Sequence, residues 1–421
     1  MSELLQKTVI YKAFRYRIYP TLAQEKRLER WKSALRFVWN LAHEQRLLGL
    51  ARSEARYPTA FDQGRELTSL RGELPWLADV PRNVTFQLLV ELDKAWSLYF
   101  NRIAGKPRWK RKGLDDVALI EPHTEAWDFD GRAIRFPKLG RLKTIVHRHL
   151  DGEPKTCALR REGDQWFASI ICEIDTEEPS LRTAPIIALD RGINNTLADS
   201  DGNLTPNPKH YEKALKRLAH AQRVVSRRKK GSKNREKAKL RVMRIHRKVR
   251  RQREHFLHVE SARLAKSHGV VVIEKLNVAG MMKGNCSRGI AGAAWSRFAE
   301  MLRYKLAWSG GTLVEVPAAY SSQTCSVCDR VDAKSRRSDR FHCTGCGHID
   351  HADLNAAKVL LTRANRSGLP VEGSLLEGAR RSRKGLVKLR VPRRSPLKTS
   401  IASDGGDYMD QTVRQSKGAS V

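Results

Sequence analysis

Four of the seven cysteines form two pairs whose spacing is typical of a metal site. Each pair has the spacing C-x2-C, and fourteen residues separate Cys325 and Cys328 from Cys343 and Cys346. A two-residue spacer lets both sulfurs of a pair reach one ion, and four thiolates complete a tetrahedral zinc site without an open position. The sequence therefore predicts one structural Zn2+ ion rather than a catalytic one.

Three acidic residues lie where predicted strands or helices meet turns. Asp190 ends the apolar run IIALD, Glu274 follows VVVI, and Asp353 precedes LNAAKVLL. Taken singly, Asp190 could open a turn, Glu274 could pair with a lysine, and Asp353 could cap a helix. Taken together, acids from separate elements can hold two divalent ions about 3.5–4 Å apart. Carboxylate and water ligands suit Mg2+ or Mn2+.

This set of acids predicts hydrolysis of a phosphodiester bond. One metal ion would activate the attacking water, and the other would stabilise the leaving 3′ oxygen. The order along the chain is an Asp on a first strand, a hairpin into a second strand, a later strand with a Glu, and a final helix with an Asp. That is the RNase H-like arrangement, so we predict catalytic and metal-binding roles for Asp190, Glu274 and Asp353.

The charge of the chain points to a polyanionic partner. It carries 80 Lys and Arg residues against 45 Asp and Glu residues, a formal net charge of +35. Such a surplus favours nucleic acid, although a solubilising surface is the alternative reading of any charge run. We find no apolar run of about 18 residues and no signal-peptide core. The two C-x2-C pairs suit a reducing compartment, so we expect a cytoplasmic protein with no membrane partner.

Two segments concentrate the basic residues. The first is GKPRWKRKG, which begins at residue 105, and the second is 223–253, where sixteen Lys and Arg residues stand against one acid, Glu236. Aromatic residues among basic ones, such as Phe14, Tyr16 and Trp109, could stack on bases, or could simply pack in a core. The predicted nucleic-acid-binding residues are Lys106, Arg108, Lys110, Arg227, Arg228, Lys229, Lys230, Arg247, Lys248, Arg250 and Arg251.

Periodicity along the chain predicts a multi-domain α/β protein. Residues 9–19 alternate as a strand, and Thr21 with Gln24 resembles a capping box that opens a long helix. Short strands with turn signals between 117 and 175 favour a small β-barrel. The predicted domains are a β-barrel (1–18 and 112–182), an inserted helical bundle (19–111), an RNase H-like nuclease domain (183–320 and 350–366), an inserted zinc ribbon (321–349) and a basic disordered tail (367–421).

Several of these motifs together resemble the TnpB family, the transposon-encoded relatives of compact type V CRISPR effectors. The segment ALDRGINNTLADSDG is similar to the first RuvC motif of the family, with Asp190 as its acid. The segment VVIEKLNVAGM is similar to the second, with Glu274. The zinc ribbon and DHADLNAAKVLL are similar to the third, with Asp353 as the acid of D-x-N-A-A and Asp350 in a supporting role. The resemblance spans about residues 9–366.

The resemblance implies more than the residues do alone. It implies an RNA-guided DNA endonuclease with one RuvC site, a guide RNA from the transposon end, and double-stranded target DNA beside a short adjacent motif. The barrel would be the wedge-like domain, the helical bundle would be the recognition domain, and the zinc ribbon would bind target nucleic acid. Asp329 and Trp109 depart from the common family pattern without removing a predicted ligand or acid.

Three alternatives stay open at the level of sequence. A guided DNA-binding regulator without nuclease activity would be expected to lack one of the acids, yet all three are present. A strand-transferring transposase would use the same metal chemistry without RNA. A compact type V effector would differ from a TnpB protein in its genomic neighbourhood, which one chain does not contain. The sequence leaves the oligomeric state open.

Overall fold

The computed structural model describes residues 7–51, 57–112, 117–177, 185–284 and 287–367. These residues all belong to one unit, Met1–Leu369. The tail predicted to be disordered lies outside the described residues except for Ser367, as do Cys286 and most of the linker at 177–185. No helix in the described part of the chain is long and apolar enough to cross a membrane.

The first strand of the chain forms the centre of a seven-stranded antiparallel sheet. The strands are β1 (Lys7–Tyr19), β2 (Leu119–Glu121), β3 (Asp128–Phe129), β4 (Ala133–Phe136), β5 (Gly140–Ile145), β6 (Glu153–Glu162) and β7 (Gln165–Glu177). Their order is β2-β6-β7-β1-β5-β4-β3. The strand predicted at 9–19 is confirmed, and its alternation buries Phe14, Tyr16 and Ile18 in the core. Phe14 and Tyr16 are therefore core residues rather than exposed stacking platforms.

Long-range pairing joins the first and last strands of this sheet along the chain. Strand β1 pairs with β7 from Lys7 opposite Glu177 to Ile18 opposite Trp166. Residues before and after the helical insertion therefore share one sheet. Within the described residues the edge strands β2 and β3 pair only with β6 and β4, so closure into a barrel stays a prediction.

Four helices are inserted between β1 and β2, namely α1 (Leu22–Ala51), α2 (Ala60–Glu73), α3 (Pro75–Ala78) and α4 (Arg82–Phe100). The predicted capping box at the start of α1 is confirmed. The Thr21 N–H donates to Gln24 Oε1 at 2.9 Å, and the Gln24 N–H donates to Thr21 Oγ1 at 3.3 Å. Leu28, Trp31 and Leu35 follow at helical spacing and are buried in the core that the helices share with the seven-stranded sheet.

A second, five-stranded sheet lies in the carboxyl-terminal part. Its strands are β8 (Ile186–Asp190), β9 (Asn195–Asp199), β10 (Leu204–Pro206), β11 (Val270–Lys275) and β12 (Thr312–Pro317). The order is β10-β9-β8-β11-β12. Strands β8, β9 and β10 are antiparallel neighbours, whereas β11 runs parallel to both β8 and β12. Parallel neighbours bring the carboxyl ends of β8 and β11 to the same edge of the sheet.

Six helices belong to this part of the chain, namely α5 (His210–Arg227), α6 (Lys233–Ser267), α7 (Val278–Met281), α8 (Ser287–Ala293), α9 (Trp295–Trp308) and α10 (Ala352–Arg366). Three of them, α6, α9 and α10, cover the two faces of the sheet. Odd positions of β8 and β11 face a core formed with α6 and α9, which includes Leu264 and Leu302. The alternate positions face α10 through Leu360 and Ala364. Near-continuous apolar strands are what a sheet buried on both faces requires.

A small module connects β12 to α10. It contains the strands β13 (Arg336–Arg337), β14 (Arg340–His342) and β15 (Ile349–His351) and two short 3-10 helices, Ser321–Gln323 and Ala333–Ser335. The three strands form one antiparallel sheet of their own. All four cysteines of the predicted zinc site belong to this module, and α10 follows it directly.

Candidate active site and metal centre

Asp190 and Glu274 lie at neighbouring positions on two parallel strands. Leu189 of β8 is opposite Ile273 of β11, so the next residue on each strand is one of the two acids. Both strands are buried up to this point, and Glu274 itself is 3% exposed. The sheet therefore places two carboxyl groups side by side at one edge.

The surroundings of Asp190 and Glu274 disfavour ionisation of both carboxyl groups. Burial, together with the nearby carboxyl groups of Glu274 and Asp353, raises the pKa of Asp190 to about 8, although Arg336 and Arg191 act in the opposite direction. Burial also raises the pKa of Glu274, which Arg191 partly offsets. Acids of like charge in a buried place are stabilised by a cation.

Glu274 has two oxygens in different environments. Oε1 accepts hydrogen bonds from the Arg191 side chain (Nε, 3.1 Å) and backbone N–H (3.3 Å). Oε2 is buried and has no hydrogen-bond partner. A bare buried carboxylate oxygen is costly unless something binds it. The unpartnered oxygen and the all-carboxylate donor set both fit a hard divalent cation.

Asp353 reaches the same region from the start of α10. Its Oδ2 accepts from Asn195 Nδ2 at 3.3 Å, and its Oδ1 lies 3.2 Å from Arg336 Nη2. His351 caps the helix, because its Nδ1 accepts from the Asp353 N–H at 3.2 Å. The helix predicted from Asp353 is confirmed. Asn195, in the hairpin after β8, holds the Asp353 carboxylate next to the sheet through its hydrogen bond.

The three carboxylates are less tightly grouped than the cysteines. Among the described residues, the four thiols form the group whose ligand atoms all lie within 4.8 Å of one another. Asp350, the predicted supporting acid, pairs with Lys358 at 2.7 Å and lies 3.7 Å from His348. It therefore has partners of its own.

The thiols of Cys325, Cys328, Cys343 and Cys346 have the geometry of a tetrahedral metal site. Two of the sulfur–sulfur distances are 3.7 Å and 3.5 Å. Four sulfurs at about 2.3 Å from a zinc ion would lie about 3.8 Å apart. Backbone N–H groups of Cys346 and Gly345 donate to the Cys343 sulfur and lower the pKa of this thiol to about 6. Burial raises the pKa of Cys325, and that of Cys346 is raised as well, so the positions of the four sulfurs, rather than their pKa values, support the predicted zinc ion.

The zinc module is bound directly to the helix that carries Asp353. Asn355 is fully buried; its Nδ2 donates to the Thr324 carbonyl at 2.7 Å, and its Oδ1 accepts from the Ser326 N–H at 3.0 Å. Ala352 packs in one apolar cluster with Cys325, Cys343 and Phe341. The first turn of α10 and the first cysteine knuckle are therefore joined by hydrogen bonds and by apolar packing.

The predicted basic residues fall into two groups. Lys106, Arg108 and, on α6, Lys248 are exposed. So are the four cations at the end of α5 and in the loop that follows it, namely Arg227, Arg228, Lys229 and Lys230. Lys110 is half-buried, with its Nζ 4.5 Å from the centre of the Trp39 ring. Trp109 is 45% exposed beside these cations, which leaves its ring accessible for stacking.

The other group is engaged within the chain. Arg247 pairs with Asp164 at 2.5 Å, and Arg250 and Arg251 both contact Glu162. The hydrogen bond from Arg247 holds the pKa of Asp164 at about 2. We call this contact between α6 and the β6–β7 turn, which also includes the pair of Arg244 with Asp164 at 2.8 Å, the acidic clasp. Its arginines connect α6 to the seven-stranded sheet, a role that the composition of 223–253 did not suggest.

Sequence reasoning missed four residues that complete the site. Arg191, Asn195 and Asn355 lie inside the motifs that carry the acids, and Arg336 lies in the loop between the cysteine pairs. Each contacts an acid or the zinc module through a side-chain hydrogen bond. The position of Arg191, Asn195 and Asn355 within the motifs could have indicated a role at the site. No local sequence pattern indicates such a role for Arg336.

Family models match three parts of the chain. A Cas12f1-like TNB domain matches residues 295–360. The OrfB_IS605 family, described as "Probable transposase", matches residues 169–285. A helix-turn-helix domain of the same family matches residues 10–47, which form most of β1 and α1 here. The first two matches include the regions of all three acids and all four cysteines.

Two curated relatives match over most of their length. One from Streptomyces pristinaespiralis, named "Putative RNA-guided DNA endonuclease", is 34% identical over 360 residues, covering 84% of this chain and 89% of the relative. InsQ of Escherichia coli (strain K12), with the same description, is 30% identical over 374 residues, covering 83% of this chain and 91% of the relative.

The fold is similar to that of a chain in a solved Cas12f1 complex. A chain in the cryo-EM structure of the Cas12f1-sgRNA-target DNA complex matches with a TM-score of 0.51 and 13% identity, over 84% of this chain and 98% of that one. The protein thus has a Cas12-like α/β fold, with a four-thiol module beside a group of carboxylates. By identity and coverage it belongs to the TnpB family, which confirms the resemblance of its motifs.

Proposed function

We propose that this protein is an RNA-guided DNA endonuclease of the TnpB type. It hydrolyses phosphodiester bonds of double-stranded target DNA under the direction of a transposon-derived guide RNA, beside a short adjacent motif. The observation that carries this proposal is that Asp190 and Glu274 lie at neighbouring ends of two parallel strands, with Asp353 near enough to raise the pKa of Asp190. Oε2 of Glu274 is buried there without a hydrogen-bond partner. The names of the relatives support the same activity.

The residues present fit a catalytic metal site. Asp190, Glu274 and Asp353 would hold two Mg2+ or Mn2+ ions, and such ions activate water and stabilise the leaving 3′ oxygen. Asn195 fixes one oxygen of Asp353. Arg336, whose side chain is 33% exposed beside Asp353, is placed to contact a phosphate of the substrate. These contacts would orient the acids and the scissile strand.

The architecture supports a division of labour. The strand order and directions of the five-stranded sheet, with α10 on one face and α6 and α9 on the other, favour a RuvC-type nuclease domain at 183–320 and 350–366. The zinc ribbon at 321–349 is an insert in it. We assign guide and target binding to the seven-stranded sheet (1–18 and 112–182, the wedge-like domain) and the helical recognition domain (19–111).

Charge supports nucleic-acid partners. The net charge of +35 and the exposed cations of the α5–α6 loop and of 106–108 favour phosphate contacts with guide RNA or target DNA. Arg247, Arg250 and Arg251 are used in the acidic clasp. We therefore place the main contribution to RNA binding in Arg227, Arg228, Lys229, Lys230 and Lys248.

Cutting of plasmid DNA tests the proposal. The full chain would be purified with its co-purifying RNA, the RNA sequenced, and the complex incubated with Mg2+ and a plasmid library carrying the matching target beside randomised motifs. We expect linear product, none with a chelator, and a rate at least about 10³-fold lower for Asp190→Ala. Asp201→Ala, in the exposed turn between β9 and β10, is the matched control and should cut normally.

Other outcomes would identify a different protein. Normal cutting by Asp190→Ala would contradict the active-site assignment. Binding of the target by the wild-type complex without cutting, with either Mg2+ or Mn2+, would indicate a nuclease-inactive guided regulator. DNA activity that survives removal of the RNA would indicate a strand-transferring transposase.

A further inference from the structure

Arg191 forms hydrogen bonds with both the carboxylate and the main-chain carbonyl of Glu274. It follows Asp190 directly and is 7% exposed. Its Nε and backbone N–H both donate to Oε1 of Glu274, at 3.1 Å and 3.3 Å. Its Nη2 donates to the carbonyl oxygen of the same glutamate. Oε1 therefore has two donors from one residue, while Oε2 of the same carboxylate has none.

The guanidinium is held in this position from its other side as well. Nη1 donates to the Trp295 carbonyl at 3.4 Å, and the Trp295 ring N–H donates to the Gly192 carbonyl at 3.3 Å. Trp295 is itself buried. If Arg191 moved away, several buried donors and acceptors would lose their partners at once, which is unfavourable. Oε1 of Glu274 therefore stays hydrogen-bonded to Arg191 as long as this region keeps its structure.

We propose that Arg191 sets the metal preference of the site by leaving Glu274 a single free oxygen, Oε2. This inference rests on the proposed function, because it takes Glu274 as a metal ligand. A glutamate with one oxygen occupied can bind an ion through one oxygen only. Mg2+ suits such ligands, since it takes six at about 2.0–2.1 Å, whereas Ca2+ takes six to eight at about 2.3–2.6 Å and often uses both oxygens of a carboxylate.

The consequence is selectivity against Ca2+ at the acid cluster. Arg191 acts through Glu274, so it is a positioning residue and not a catalytic one. Replacing it with an uncharged residue would free both oxygens of Glu274 for one ion. Mg2+ would gain little from the second oxygen, but Ca2+ would gain a bidentate ligand. Loss of general structure would instead weaken the binding of every metal ion together.

Mn2+ binding followed by electron paramagnetic resonance tests this inference. The full chain, loaded with zinc and free of RNA, would be titrated with Mn2+, and the bound Mn2+ displaced by Mg2+ or by Ca2+. The readout is the ratio of the two displacing concentrations. We expect Arg191→Gln to shift that ratio about tenfold towards Ca2+. Arg297→Gln removes an arginine of the neighbouring helix α9 that forms an ion pair with Glu300, and it should leave the ratio unchanged.

The outcomes separate this inference from the proposed function. If wild type and Asp190→Ala bind Mn2+ alike, the metal site itself is absent and the proposed function fails. If Mn2+ binding depends on Asp190 but Arg191→Gln keeps the wild-type ratio, the metal site stands and the role of Arg191 is overturned. A uniform weakening of all three ions would likewise overturn it.

A second variant guards against misfolding. Arg191→Lys keeps the charge, but one ammonium group cannot replace contacts with Oε1, the Glu274 carbonyl and the Trp295 carbonyl together. We expect a shift of about threefold in the same direction. Thermal unfolding would show whether each variant folds. If Arg191→Gln does not fold, an unchanged ratio in Arg191→Lys overturns the inference.

Discussion

At the scale of single residues, the hairpin that follows Asp190 depends on Gly192. A Cβ atom built on this glycine would lie 2.5 Å from the backbone oxygen of Asn195. That distance is far shorter than any normal contact, and the obstacle is backbone rather than a flexible side chain. Asn195 in turn donates to Asp353. A glycine is therefore required for the turn that aims Asn195 at the third acid.

We predict that Gly192→Ala lowers both stability and cutting. The added methyl group must displace the backbone of Asn195, at a cost of about 1–3 kcal/mol, and this movement separates Asn195 from Asp353. Thermal unfolding and plasmid cutting would measure the two effects, with cutting reduced at least about tenfold. Gly292→Ala is the control, because a Cβ there meets nothing within 4 Å. Equal cutting by the two variants would show that the hairpin tolerates the shift.

At the scale of elements, hydrogen bonds and an ion pair join the zinc module to α10. Asn355 holds the first knuckle through the Thr324 carbonyl and the Ser326 N–H, and Arg336 of the module contacts Asp353. Arg363, near the end of the same helix, donates to the Pro317 and Ala319 carbonyls. Folding of the module therefore affects the position of the third acid.

Cys343→Ser should abolish cutting and loosen the nuclease core as well as the module. Without a complete thiolate site the knuckles lose their structure, and α10 loses the partners of Asn355. Zinc content, plasmid cutting and hydrogen exchange of α10 would measure the three steps. Asn355→Ala is the matched variant, which should keep zinc while leaving two buried backbone groups unpaired and reducing cutting. If Cys343→Ser cut at the wild-type rate, the module would be an independent appendage.

At the scale of the whole molecule, the basic charge has two separate uses. The acidic clasp sets Glu162 and Asp164 against Arg244, Arg247, Arg250 and Arg251 and joins the β6–β7 turn to α6. The end of α5 and the loop that follows it carry four cations that are exposed to solvent. The first group contributes to the structure of the chain, and the second is available to a phosphate backbone.

Two sets of substitutions would separate these uses. Changing Arg227, Arg228, Lys229 and Lys230 to Gln should leave the unfolding temperature unchanged. It should reduce the slope of log binding constant against log salt concentration for guide RNA by about 3. Each of the four phosphate contacts contributes about 0.7 to that slope. Changing Arg244 and Arg247 to Gln should do the reverse, with a lower unfolding temperature and a nearly unchanged slope. Equal slopes for wild type and the loop variant would exclude the loop from RNA binding.

Local patterns were enough to predict the main elements and the types of residue at the site. The strand at 9–19, the capping box at Thr21, the helix that follows Asp353 and the grouping of the four thiols were all predicted and are present. These features depend on periodicity and on spacing within about 30 residues, which the sequence contains directly. The family could be predicted for the same reason, because its motifs are short and contiguous.

Only the tertiary structure decided what each charged side chain contacts. The sequence places Arg191 beside Asp190, but the parallel pairing of β8 with β11 brings it to Glu274, 83 residues away. In the same way the basic run of α6 meets Glu162 and Asp164 only because β6 and β7 turn beside it. A partner across such a distance is chosen by packing of the whole chain and leaves no periodic trace in the sequence. Which oxygens stay free for a metal ion, and which cations stay free for nucleic acid, follow from that packing.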